Sequence, residues 1–399
     1  MIEVKGKYGT CKIMTNNVDN ATVLDIYKIL NSPIAEDANM ICMPDVHKGM
    51  SFPIGTTMKI HDKVIPNGVS VDIGCGVICQ KLNKKEIDLK KLDEIMHTIV
   101  PSGFSVNSKP HRFSSQIDLT KLRCYDKLNN IYRLILGIGS IGSGNHYCEI
   151  NKDDKDNLYL VIHTGSRNLG KQIADYYQEA SYIQMNDNSA NSINLIKQLK
   201  AQGREKEIQS ILKELPSNEK IEKSMSYCTG QLMIDYLHDM SIAQEYASLN
   251  RKAIADTIQK EMDWEIIEEF QTIHNYIELD TMILRKGAVS AKLGEKLIVP
   301  LSMAAGSLIC EGKGNPDWNY SLNHGAGRLM SRKAAKESIN IEDFKKSMEG
   351  IYTTCVSLDT IDESPMSYKC PEEIILAMEP NATILNIIKP IYNFKDGGD

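Results

Sequence analysis

A carboxylate and a thiol stand three residues apart in the run Val71-Asp72-Ile73-Gly74-Cys75-Gly76. Asp72 offers a hard oxygen and Cys75 a soft sulfur able to bridge two cations, while the glycines permit backbone angles that let both side chains converge. The pair reads as half of a metal site. Standing alone, it reads better as an ordinary glycine-rich turn with a buried free thiol. The metal reading gains weight from His146, His163, His274 and His324, each in its own glycine- or amide-rich stretch. Mn²⁺ accepts such mixed oxygen, sulfur and nitrogen donors, with Zn²⁺ as a competitor, and two such ions could act as Lewis acids on a phosphate.

Further reactive side chains fall at the ends of predicted elements. The apolar run Ile41-Cys42-Met43 is expected to stop at Pro44 and release Asp45 and His47 into a loop, where Asp45 either orients a metal-bound imidazole or caps a turn. If 145–150 is a strand, Asn145, Tyr147 and Glu149 face one way and His146 and Cys148 the other. His146 would then reach the metals, and the Glu149 carboxylate would line a polar pocket able to accept hydrogen bonds from a base such as guanine. Leu158 to Ile162 fills a buried strand ending on His163, ahead of a helix from Lys171 to Ala180 whose start, with Ser166 and Arg167, suits a phosphate or other anion. His324 is expected to open a helix in which Gly325, Ala326 and Gly327 admit a large group and Arg328 and Arg332, one turn apart, meet phosphates. A neutral imidazole there could attack phosphorus; the alternatives are a metal ligand or a helix cap. Ser302 and Ser307 flank a small-residue loop and either contact a nucleotide or are plain turn residues. The loops at Asp362 to Lys369 and Lys389 to Asp399 add chain that can close the site.

These side chains need a large scaffold. A chain of 399 residues, 42% hydrophobic and 25% charged, can bury a sizeable core as one large α/β unit or as two or three average domains. Strands are expected at Cys11–Met14, Phe52–Ile60, Val77–Leu82 and on both sides of the loop within Lys296–Gly312. Helices are expected at Asn20–Leu30, Lys84–Thr98 and Tyr125–Leu136. Helices resume from Met225 through Met282, the last carrying Ile266, Phe270, Ile273 and Ile277 as a stripe with His274 beside it. Ile193 to Leu215, rich in Lys, Glu and Gln, broken at Gly203 and ended by Pro216, reads as a peripheral helical insertion spanning about 183–225. No stretch approaches the roughly 18 apolar residues of a membrane span. The first residues carry no apolar leader core and ten cysteines are irregularly spaced, so reduced thiols in a cytoplasm are expected. A formal net charge of -6 leaves any nucleic-acid binding to a local basic surface.

Taken in order, PDVHKG, VDIGCG, GSGNHYCE, HTGSRNLG, HNY, RKGA, NHGAGR, DESPMSYK and NFKDGG resemble the RtcB family of RNA-splicing and RNA-repair ligases, in a shorter and divergent form, from about Pro44 to Lys395. The resemblance implies an α/β (α+β) fold: a single large mixed-sheet catalytic domain over 1–399 with a helical insertion near 183–225. It implies GTP- and Mn²⁺-dependent joining of RNA 3′-phosphate or 2′,3′-cyclic phosphate ends to 5′-hydroxyl ends, in RNA repair or tRNA splicing. Two Mn²⁺ ions would be held by Asp72, Cys75, His146, His163 and His274, with Cys75 shared. His324 would be guanylylated, with Asp45 acting nearby on cyclic-phosphate opening or on the metal shell. Asn145, Glu149, Ser302, Ser307, Ala326, Arg328, Tyr368 and Lys395 would surround the guanylate. RNA ends and GTP are the implied partners, and whether an activating protein is also needed is not legible. Two other classes stay open: a dinuclear phosphoesterase acting on RNA ends through the same ligands, and a non-catalytic RNA-end-binding protein.

Overall fold

Two sheets carry the site, and the chain visits them out of order. The computed structural model describes residues 1–186, 188–214 and 221–397. Among these, a six-stranded sheet runs Ile2–Lys5, Thr10–Ile13, Met40–His47, Ile54–Lys59, Ile283–Lys286, Asn275–Glu278. Its one parallel pair, Thr10–Ile13 with Met40–His47, is bridged by the helix Asn20–Leu30. A seven-stranded antiparallel sheet runs Ile266–Ile273, Gly76–Leu82, Leu158–Thr164, Tyr147–Lys152, Ala382–Phe394, Gly306–Gly312, Lys296–Ser302. The architecture is the mixed α/β one expected.

Alternation along the central strands of the larger sheet gives it two buried faces. Ile78, Ile150, Leu160 and Ile162 point to one side, where they meet Leu92, Ile95 and Met96 of the helix Leu89–Thr98 and Ile254 and Ile258 of the helix Gly230–Met262. Val77, Tyr147 and Val161 point to the other, toward Ile298, Ile309 and Ile388. Each buried Ile or Leu contributes roughly 1.5–3 kcal/mol. The helix Leu89–Thr98 starts where the Asp88 carboxylate accepts the Lys91 N–H, so its apolar face is set by a local cap as well as by packing.

The register puts four strand ends side by side. Ile273 lies opposite Gly76, Gly76 opposite Thr164, and His163 opposite Tyr147. Because neighbours run antiparallel, the residues at or beside those ends, His274, Cys75, His163 and His146, fall at one end of the sheet. His274 is also the single residue through which the chain leaves the larger sheet at Ile273 and enters the smaller one at Asn275. The back of this end is closed by Arg251. It is fully buried and donates to the carbonyls of Gly74 and Thr164, at 2.8 and 2.9 Å, and to Gln271. Gly74 has φ +69°, and a Cβ there would stand 2.9 Å from the Cα of Gln244 on the same helix, so that turn needs glycine.

Several expectations change. The stretch after Met262 is strand rather than helix: Asp263 ends the helix in the left-handed region, and pairing with Gly76–Leu82 overrides a spacing that also fits a helical stripe. The helix expected over 125–136 shrinks to Ile131–Leu136 behind a left-handed Asn130. Asp45 lies inside the strand Met40–His47, not in a loop; the pairing shifts register between Cys42 and His47, which accommodates a proline with no N–H to donate. The helix begun at Arg167 runs on to Asn186. In the insertion, helices span Asn188–Ala201 and Ile208–Glu214, and Gly203 breaks them at φ +68°. Leu215 and Pro216, where the helical stretch of that insertion was expected to end, lie outside the described residues. Among the described residues no helix is long and apolar enough to cross a membrane.

Replacing Arg251 by Met should leave two buried carbonyls unpaired and cost about 3–5 kcal/mol, read as a lowered midpoint of thermal or denaturant unfolding. An unchanged midpoint would show the clamp to be dispensable.

Candidate functional site

Donor atoms from five side chains converge at that strand end. One group is Cys75, His163 and His274, all buried; the other is Asp72, Cys75 and His146, so the thiol belongs to both. The Cys75 Sγ lies 3.2 Å from His163 Nε2 and 3.5 Å from His146 Nε2. Asp72 is fixed from several sides: the Ser166 amide donates to its Oδ1 at 3.0 Å, and Asn275 donates to its carbonyl. The helix N-terminus expected to hold a phosphate thus holds the chain's own carboxylate. Arg167 correspondingly turns away, to Ser140 and the Gly103 carbonyl. Asn250 shapes the glycine run before His146, accepting from the amides of Gly139 and Ser140 and donating to the Ser140 and Gly165 carbonyls.

The imidazole tautomers decide what this cluster can hold. His146 donates its Nδ1–H to the Ile141 carbonyl and His163 donates its Nδ1–H to the Asn145 carbonyl, leaving a lone pair on each Nε2. Those lone pairs then face other electron-rich atoms: Asp72 Oδ2 at 2.9 Å from His146, and His274 Nε2 at 3.3 Å from His163. Burial, and then neighbouring imidazoles, hold His163 and His274 well below the usual histidine range, so both stay neutral. Burial, then the Asp72 carboxylate, pushes the Cys75 thiol well up. Neutral imidazoles, a carboxylate and a thiol that ionises beside a cation are the donor set of a divalent transition-metal pair. The residues fit two ions sharing Cys75.

His324 stands next to this cluster, its ring centroid 4.8 Å from that of His274. It follows the short strand Ser321–Asn323, and the next helix begins only at Arg332, so it does not open a helix and Arg328 and Arg332 are not one turn apart. His324 donates its Nδ1–H to Asp45 Oδ2 at 2.8 Å, and Asp45 is fully buried. Of the two roles read from the residues for Asp45, the turn cap gives way: its carboxylate orients the His324 imidazole, which stands beside the donor cluster. Gly327, at φ +75°, lets the His324 loop lie against this strand, since a Cβ there would be 2.4 Å from the Asp45 carbonyl. Lys369, buried, donates to the carbonyls of Pro44 and Asn17 at 2.9 Å and reaches that of Val46 at 3.5 Å, gripping the strand on both sides of Asp45.

A cavity of about 590 Å³ opens over His163, His274 and His324. Asn145, Glu149, Ser302, Ala326, Arg328, Tyr368 and Lys395, the residues that the resemblance put around a guanylate, line it together. Ser307 does not; it is fully buried in its strand, and Gly306 takes its place on the wall. Ser302 also accepts from the amides of Ala304 and Ala305, so it is a turn residue as well. Tyr147 and Glu149 face the cavity while Cys148 faces the opposite core, as alternation required. Glu149 accepts from Asn393 at 2.7 Å and Asn151 at 3.1 Å, and burial pushes its carboxyl up to about 7.

Glu363 was missed, although its motif was quoted. It accepts from Lys395 and Tyr368, both at 2.7 Å, and from Arg328 at 3.3 Å, and pairs with Arg332 at 2.6 Å. Burial would raise its carboxyl, but Lys395 and Arg332 outweigh this and hold it far below the usual range. An acidic pair next to a Tyr-Lys in one short motif was the available signal. Arg251 and Asn250 gave none, because a residue within a helix shows its burial only after folding.

A family model described as tRNA-splicing ligase RtcB matches residues 26–133 and 126–396. The chain is 28% identical over 391 residues to the RNA-splicing ligase RtcB of Escherichia coli (strain K12), covering 88% of this chain and 89% of that protein. It is 24% identical over 438 residues to the tRNA-splicing ligase RtcB of Thermococcus kodakarensis, covering 87% and 85%. Against the RNA-splicing ligase RtcB of Mycobacterium tuberculosis it is 25% identical over 421 residues, covering 84% and 91%.

Because Cys75 belongs to both donor groups, Cys75→Ala should lose most of the bound divalent metal at both positions, measured by elemental analysis of the purified protein. In the wild type, Mn²⁺ affinity should rise with pH, since the raised thiol must release its proton to the solvent when the cation binds. Metal content and pH response unaltered by the substitution would remove Cys75 from the site.

Proposed function

The chain belongs to the tRNA-splicing ligase RtcB family, and from that premise we propose that it is an RNA ligase that joins 3′-phosphate or 2′,3′-cyclic phosphate ends to 5′-hydroxyl ends, using GTP and a histidine–GMP adduct. The observation that carries the reading is the hydrogen bond from His324 to the buried Asp45 beside a two-cation donor cluster. Asp72, Cys75, His146, His163 and His274 would hold two Mn²⁺ ions, which when bound supply Lewis-acid stabilisation of charge on phosphate oxygens.

His324 has its Nδ1–H committed to Asp45, so Nε2 carries the lone pair. Attack of Nε2 on the α-phosphorus of GTP forms a P–N bond and breaks the bond to pyrophosphate. Asp45 offsets the positive charge that develops on the ring. Glu149, as carboxylate, accepts the N–H groups of the guanine edge, and its place between Asn151 and Asn393 fixes its orientation. Arg328, Tyr368 and Lys395 are held against the cavity by Glu363, so their positions are set before a nucleotide arrives. A cyclic RNA end must first be hydrolysed to the 3′-phosphate. An oxygen of that phosphate then attacks the adduct phosphorus and breaks the P–N bond, which restores His324 and leaves GMP on the RNA. The 5′-hydroxyl displaces GMP and closes the strand. Activation is required because a phosphate monoester oxygen is a poor leaving group, whereas GMP leaves readily. A phosphoesterase reading accounts for the donor cluster but does not need His324 as a nucleophile, so a GMP adduct separates the two.

Incubation with α-labelled GTP and Mn²⁺, without RNA, should label the protein through a bond lost in mild acid and stable in alkali. His324→Ala should abolish the label, and Asp45→Asn should slow its formation by about 10²–10⁴-fold. No label on the wild-type protein, or full label on His324→Ala, would transfer the assignment to a phosphoesterase or an RNA-binding protein.

A pH experiment tests Glu149 separately. Its carboxyl titrates near 7 because it is buried, so GTP affinity should rise as pH increases through about 7 and the carboxylate forms. Glu149→Gln should flatten that profile and narrow the preference over ATP. An identical profile in the variant would exclude Glu149 from base recognition.

A further inference from the structure

Arg332 lines two cavities. One is the reaction cavity. The other, about 460 Å³, has Ser143 and Gly144 on its lining together with Arg332, Lys333 and Lys336, and it includes the buried Asp362. The two are joined through the backbone as well, because Ser143 and Gly144 lead directly into Asn145 of the reaction cavity and His146 of the metal cluster.

The charges in the second cleft are not spent equally. Arg332 is engaged by Asp362 and by Glu363, each at 2.6 Å. Lys336 lies 4.0 Å from Asp362 with about half of its side chain exposed, and Lys333 is 85% exposed, 3.8 Å from Glu337. Such loose exposed pairs contribute little stability and leave both ammonium groups open to another anion. Lys333 and Lys336 are three residues apart on the helix Arg332–Ser338, so they are neighbours on its surface. Facing them, Ser143 and Gly144 carry no bulky side chain, and Gly144 at φ +72° has its amide committed to the Asp396 carbonyl. A cleft with two available cations and a bare backbone wall, sharing Arg332 with the larger cavity beside His324, suits a chain of phosphates rather than one small anion.

We propose that this cleft holds the phosphodiester backbone of the RNA strand whose reactive end occupies the reaction cavity, with Lys333 and Lys336 contacting successive phosphates. The inference rests on the ligase reading and gives its RNA substrate a path. Two strands meet in ligation, one ending in a 3′-phosphate and the other in a 5′-hydroxyl, and their backbones share this chemistry.

The test uses the full chain loaded with Mn²⁺ and the double variant Lys333→Gln, Lys336→Gln. Two short fluorescent single-stranded RNAs serve as probes, one with a 3′-phosphate and a blocked 5′ end, the other with a 5′-hydroxyl and a blocked 3′ end. Affinity for one of them should fall about tenfold in the variant, and the slope of its log affinity against log salt should shrink by about 1.4, two phosphate contacts at roughly 0.7 each. The probe that responds identifies the strand. Labelling by GTP without RNA should be the same in variant and wild type. Unchanged affinity and slope for both probes, with normal GTP labelling, would overturn the cleft assignment. A wild-type protein that takes no GMP label would instead overturn the ligase reading beneath it, and the two failures are separate readouts.

Discussion

Electron-rich atoms are pressed together where four strand ends meet, and the surrounding structure is arranged to bear their repulsion. Cys75, His146, His163, His274 and Asp72 bring sulfur, nitrogen and oxygen within 2.9–3.5 Å of one another. In a buried space such contacts are costly unless a cation lies among them. The protein supplies part of the compensation itself: the Ser166 amide at a helix N-terminus faces Asp72, and the Arg251 guanidinium sits behind the Gly74 and Thr164 carbonyls. Burial lowers Arg251 only to about 10, so it remains charged at neutral pH.

The second half of the site is built in layers outward from one hydrogen bond. His324 is aimed by Asp45, and Asp45 is gripped along its strand by Lys369. Lys369 adjoins Tyr368, which faces the cavity and donates to Glu363. Glu363 in turn gathers Lys395 from the last strand's exit and Arg328 from the His324 loop. A single short segment, Asp362 to Lys369, therefore ties the support of His324 to the cavity wall and, through Arg332, to the neighbouring basic cleft. Displacing any one of these partners is expected to be felt by the others, because they share acceptors in a low-dielectric setting.

Chemistry was more legible in the sequence than geometry. The residue types of the donor set, His324 and most of the cavity wall were readable because each sits in a short glycine- or amide-rich motif. The strands around Cys75 and His163 were readable from their apolar runs. Ile266 to Ile277 was misread because its apolar spacing satisfies a helix as well as a strand, and the deciding partner, Gly76–Leu82, lies almost two hundred positions away in the chain. Asp45 was put in a loop because Pro44 looks like a stop, whereas the strand absorbs it in a register shift. Ser307, which the resemblance put around the guanylate, is buried in its strand while Gly306 lines the cavity, a facing that sequence alone does not give.

What the sequence determined by itself is the inventory: a thiol, carboxylates, imidazoles and cations whose intrinsic donor and acceptor properties suit metal and phosphate chemistry. Which atoms meet was decided by tertiary structure alone. Pairing register carried His274, Cys75, His163 and His146 to one end of a sheet, tautomers were fixed by the carbonyls of Ile141 and Asn145, and Asp45 found His324 across 279 positions. The physical reason is that donor strength belongs to a side chain, while protonation, orientation and shared ligation belong to its neighbours, and those are chosen by long-range backbone pairing.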